Sequence, residues 1–89
     1  MFVHIGNGKS VKKKDIIGIF DLDSATVTKT GKDFLGRKER EGLVEYEDLD
    51  LPRSFILCKE NGNIRVRLSR ISTQGLRLRA EQKDIIKEI

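Results

Sequence analysis

The chain has 89 residues, 37% hydrophobic and 36% charged, so it holds one small domain with a thin core and a charged share above the roughly 25% of an average domain. A single cysteine, Cys58, excludes an internal disulfide. No run approaches the ~18 apolar residues that cross a membrane, and Met1–Ile5 lacks a basic n-region followed by a long apolar stretch, so a cytoplasmic protein without a secretory signal is expected. The net charge of +4 permits an anionic partner, and the thin core leaves further apolar surface to be covered by self-association.

Phe2-Val3-His4-Ile5 reads as a first strand with Val3 and Ile5 on one face. Gly6-Asn7-Gly8 is a turn, because these residues tolerate the positive φ of tight turns, and Ser10-Val11-Lys12 pairs back as a hairpin. The Gly-Lys-Ser ending of residues 6–10 lacks the spacer of a phosphate loop and belongs to that turn. Lys12, Lys13 and Lys14 then lead into Asp15–Asp21, D-I-I-G-I-F-D, whose apolar interior predicts a strand covered on both faces, with a basic entrance and an acidic exit.

Asp23 or Ser24 can cap a helix, since a short polar side chain satisfies the free N–H groups of a first turn. A helix is expected over about Thr28–Glu41, with Val27 and Phe34 as apolar anchors, Arg37, Lys38 and Arg40 at its negative end and Gly42 as its stop. Leu43–Tyr46 suits a short strand, and acidic Glu47–Pro52 an exposed loop. Phe55-Ile56-Leu57-Cys58 forms a second continuous apolar strand, central in its sheet. After the turn Asn61-Gly62-Asn63, Ile64, Val66 and Leu68 alternate inward with Arg65, Arg67 and Ser69 outward. Leu76-Arg77-Leu78-Arg79 also alternates like a strand. Leu78, Ile85, Ile86 and Ile89 recur at helical spacing, however, and favour a C-terminal helix capped by Ser72 or Thr73. The expected architecture is a small single α+β domain over residues 1–89. It comprises a hairpin plus organising strand over 1–22, a helix region over 24–42, strands over 43–69 and a C-terminal helix over 72–89, with four to six mostly antiparallel strands.

Charge is segregated. Residues 1–20 carry four basic and one acidic side chains, residues 21–52 five and nine, and residues 53–83 eight and two. Basic ends around an acidic middle suit a phosphate-facing surface. Arg65 and Arg67 stand two residues apart on one strand face, about 7 Å, close to the spacing of successive phosphates, and a guanidinium fork matches phosphate oxygens. The same pair equally suits an open sheet face in solvent, or pairing with acids of the middle segment. Arg70, Arg77 and Arg79 extend the basic surface. With one histidine, His4, and one cysteine, a usual zinc site is not available within the chain, Cys58 reads as a small buried hydrophobe, and no nucleophile with paired carboxylates is recognisable. No enzyme activity and no cofactor are expected.

Phe2-Val3-His4-Ile5-Gly6 and D-I-I-G-I-F-D resemble the small bacterial extracellular-matrix regulators, the Rem family, and are most similar to its B type. The likeness continues through the central helix ending near Gly42, the hairpin, Leu68-Ser69, Ser72-Thr73 and the L-R-L-R-A helix, over roughly residues 1–82. It implies a DNA-binding transcriptional regulator from a low-GC Gram-positive type of bacterium, with a LytTR-like fold, acting on biofilm matrix genes as a ring-shaped homo-oligomer on double-stranded DNA. The family's contact positions before the organising strand are occupied here by lysines, with Lys14 the best match. Those before the later strand are matched only by Arg53, preceded by Asp48, Leu49, Asp50 and Leu51. The DNA-binding set is thus Lys12, Lys13, Lys14, Arg53, Arg65 and Arg67. The other class open to this sequence is a protein-interaction or scaffold module, in which acidic residues 45–50 meet a basic surface of another subunit or partner without DNA.

Overall fold

A computed structural model describes residues 2–6, 8–46 and 51–81. The first strands, β1 (Phe2–Gly6) and β2 (Lys9–Lys12), pair antiparallel as a hairpin of their own, Val3 opposite Val11. A single 3₁₀ turn, Lys13–Asp15, leads into β3 (Ile16–Asp21). Helices α1 (Leu22–Val27) and α2 (Lys29–Arg40) follow, then β4 (Val44–Tyr46), β5 (Ser54–Glu60), β6 (Asn63–Ser69) and α3 (Thr73–Glu81). The main sheet runs β3-β5-β6-β4, antiparallel except for the parallel β4–β6 pair. The domain is α+β as the sequence predicts, with a mostly antiparallel sheet, a central helix and a C-terminal helix.

Both faces of this sheet are covered, which is why β5 is apolar without alternation. Ile56 and Cys58 point to one face, where they join Val3, Ile5 and Val11 of the hairpin and Leu76 of α3. Phe55, Val66 and Leu68 point to the other, against Leu22, Ala25, Phe34 and Leu35 of α1 and α2. Each fully buried aliphatic or aromatic side chain of this kind contributes about 1.5–3 kcal/mol. Cys58 is buried and in no disulfide, as its apolar setting predicts. The β5–β6 turn places Asn61 and Gly62 at φ 51° and 82°, the left-handed pair that matches the twist of a two-residue hairpin.

Four expectations are corrected. The D-I-I-G-I-F-D strand is not covered on both faces: β3 lies at the sheet edge, with Ile17 55% and Phe20 43% exposed. Its register slips between Ile16 and Gly18, and the Phe20 ring folds over Gly18 while stacking on Phe55 at 5.3 Å between centroids. The helix expected over about Thr28–Glu41 is α2, but a separate short helix, α1, precedes it in the region read as one. Asp21 caps α1 by accepting the Ser24 N–H at 2.9 Å, and Thr28 is extended (φ −94°, ψ 149°). The Thr28 hydroxyl ends the first helix by donating to Ala25 O and starts the second by accepting from Gly31 N. Val27 therefore falls at the break and is exposed, leaving Phe34 and Leu35 as the packed residues of α2. In α3 the inward positions are Leu76 and Ala80, one turn apart, so Leu78 points out. The β6 alternation holds at Val66 and Leu68 but fails at both ends: Ile64 is exposed rather than inward, and Ser69 is buried rather than outward, its hydroxyl donating to Ile5 O at 2.7 Å and accepting from Ile71 N at 3.0 Å. Ser72 caps α3 by accepting from Gly75 N. The acidic residues 47–50 and the C-terminal Ile85, Ile86 and Ile89 lie outside the described residues.

Candidate nucleic-acid interface

The structure sorts the six basic residues into three places. Lys12 ends β2, and Lys13 and Lys14 form the turn behind it. The turn's short hydrogen-bonded loop holds consecutive side chains apart around its axis, and all three lysines are exposed. Phe2 lies directly across the hairpin from Lys12. Together with the three lysines it lines a cleft of about 500 Å³.

Arg53 is exposed at the other end of the β3–β5 pair. Its N–H donates to Ser69 O and its carbonyl accepts from Leu22 N, so the backbone there is held at the junction of three elements. Ile16 is opposite Cys58 and Asp21 opposite Ser54, which separates Arg53 from the lysine turn by about 17 Å at the rise of a strand. Asp21, beside it, is held below its ordinary value of 3.8. The Ser24 backbone hydrogen bond is the largest cause, the Ser24 hydroxyl adds to it, and the Arg53 charge contributes last.

Arg65 and Arg67 sit on the face of β6 that carries Ser69, between Glu45 of β4 and Glu60 of β5. Each carboxylate bridges both guanidiniums. Glu45 reaches Arg65 Nη1 at 2.7 Å and Arg67 Nη1 at 3.2 Å, and Glu60 reaches Arg67 Nη2 at 2.6 Å and Arg65 Nε at 3.4 Å. The two arginine side chains are only 24% and 15% exposed. Of the uses the sequence leaves open for this pair, pairing with acids of the middle segment is the one observed, with Glu60 of the neighbouring strand as the second acid. The four charges cancel locally and present little net field to solvent.

Arg77 and Arg79 have structural roles as well. Arg77 donates to Ile19 O on the β3 edge at 3.4 Å, and Arg79 donates to His4 O at 3.1 Å, tying α3 to the hairpin. His4 is exposed on the hairpin's outer face. Two features were absent from the sequence reading, one of them beyond its reach. The partner Glu45 lies 20 residues from Arg65, and only the parallel β4–β6 pairing brings them together. Phe2 was within reach: alternation from Val3 puts it outward, and the hairpin register puts it opposite Lys12.

What these residues can do chemically is bind anions at the lysine turn, where flexible, hydrated ammonium groups make point-charge contacts to phosphate. No protein-family model and no curated protein matches the chain.

Proposed function

We propose that the protein is a non-enzymatic, DNA-binding transcriptional regulator of the extracellular-matrix (biofilm) type, acting in the cytoplasm as a homo-oligomer. The observation that carries this reading is the exposed run Lys12–Lys14, three cations on adjoining residues with no acid among the described residues that line their cleft. Phosphate contacts centre on that run. Arg53 contributes from the far end of the strand pair, and Arg65 and Arg67 contribute only when released from Glu45 and Glu60. Exposed Ile17 and Phe20 on the edge strand β3 supply apolar surface for self-association.

The test is a mobility-shift titration of duplex DNA at two salt concentrations, beside a sizing measurement. Lys13→Ala together with Lys14→Ala lowers affinity and flattens the log–log salt slope by roughly 1.8, about 0.9 for each phosphate no longer neutralised. Binding and slope equal to wild type would remove the lysine turn from the interface. The same exposed edge favours a second reading, a self-associating scaffold module without DNA. In that case the sizing measurement reports an oligomer, and no duplex is shifted at physiological salt.

A further inference from the structure

We infer that the lysine-turn cleft is built for an unpaired base, so that the protein also binds single-stranded nucleic acid, with Phe2 as the stacking platform. The inference rests on reading Lys12–Lys14 as a phosphate site and adds a second ligand form to it. Phe2 is 61% exposed although it opens a strand whose next residue, Val3, is buried. The ring thus stands in water on the outer face of the hairpin, forgoing most of the stabilisation that burying it would bring. Its neighbours across the cleft are Lys12, Lys13 and Lys14. An aromatic face beside cations that track a phosphate backbone is the combination that holds single strands, because every base has a π-face and every nucleotide a phosphate. A duplex cannot use this ring in the same way, since its bases are already stacked and offer only their edges in the grooves. The cleft, at about 500 Å³, has room for a base and its sugar.

The chain has one tyrosine, Tyr46, and no tryptophan, so Phe2→Trp introduces a single tryptophan at the proposed platform, excited selectively at wavelengths Tyr46 does not absorb. The experiment titrates wild type, Phe2→Leu and Phe2→Trp with labelled oligothymidylate, an abasic oligomer of equal length, oligouridylate and a duplex of equal length. The expected result is tighter binding of oligothymidylate than of the abasic strand, and a loss on the order of 10-fold for the single strand in Phe2→Leu. Duplex affinity is unchanged in that variant, and affinity is restored in Phe2→Trp with quenching of its fluorescence on binding. Oligouridylate tells whether the strand is RNA as well as DNA.

Single-strand binding by Phe2→Leu equal to wild type, or equal affinity for the abasic strand, would overturn the inference, as would an unquenched Phe2→Trp. If duplex binding still depends on Lys13 and Lys14 in that case, the phosphate reading survives alone. Weakened duplex binding with an unaffected single strand would make Phe2 a wedge in a helix rather than a platform. Failure of every nucleic acid to bind would remove both readings together.

Discussion

At the scale of single residues, Asp21 joins two elements: it ends β3 and caps α1, with the Arg53 charge near enough to act on it. Its carboxyl is held below 3.8 in the folded chain chiefly by the Ser24 N–H, so the folded state binds its proton more weakly than the unfolded state. The stability this contributes is present above 3.8 and is lost as pH falls through the lowered folded value. Asp21→Ala is therefore less stable than wild type at neutral pH, and the gap between their urea midpoints closes on acidification below 3.8. A gap that stays constant with pH would assign the effect to something other than the carboxylate. The cap was legible one step away: Asp23 and Ser24 are good capping residues, but the strand continues through Asp21, so the helix begins two residues earlier. The roles of Arg65 and Arg67 were not legible as a single outcome. A strand of alternating arginines has the same pattern whether its charges face water or meet Glu45 and Glu60, and nothing local distinguishes the two.

At the scale of elements, the joint between α1 and α2 depends on Gly31. A Cβ built there would collide with Ala25 O, a backbone atom that cannot step aside, whereas one at Gly36 meets only the tip of Arg40 at 3.6 Å. Gly31→Ala is expected to destabilise by about 1–3 kcal/mol as overpacking, and Gly36→Ala to stabilise by up to about 1 kcal/mol as helix propensity. Denaturation of the two variants side by side checks both signs. Two glycines in one predicted helix read alike in the sequence, and only the bend at Thr28 separates them. The misplacement of β3 has a similar origin. An apolar pentapeptide bounded by aspartates fits either a central strand or an edge strand. Its edge place goes with the hairpin pairing with itself, which among the described residues leaves β3 a ladder partner on one side. The outward carbonyl of Ile19 meets Arg77 instead, and the Phe20 ring fills the gap over Gly18.

Over the whole molecule, the segregated charge seen in the sequence is partly cancelled on folding. The acidic middle contributes Glu45 to the basic later segment, so two of its arginines give little to the outward field, and the lysine turn remains an exposed concentration of positive charge. Replacing Glu45 and Glu60 together by Gln removes the two carboxylate charges that pair with Arg65 and Arg67. Partly shielded pairs lie between exposed pairs and buried ones in strength, so a stability loss of about 1–3 kcal/mol is expected. Duplex affinity rises in the same variant, with a salt slope steeper by up to roughly 1.8. A mobility-shift series together with thermal unfolding reads both, and an unchanged slope would show that the arginines do not reach phosphate even when free. The layered α+β plan, the two hairpins and the C-terminal helix were legible because periodicity and turn chemistry are local. The parallel β4–β6 pair and the charge network were not, because both join residues some twenty positions apart.

Among the described residues, the hairpin that leads into the lysine turn shares no ladder with the main sheet. It rests on the sheet through Val3, Ile5 and Val11, the Ser69 hydroxyl and the Arg79 hydrogen bond, all on the inner face or at its rim. Phe2 and His4 on its outer face, Lys12 at its end, and Lys13 and Lys14 after it, are exposed rather than core positions. Side chains at those positions can be exchanged without leaving a cavity in the core, whereas a change of length would shift the register that places Val3 and Val11. The architecture therefore keeps the exposed cations of the turn apart from the residues that hold the fold together.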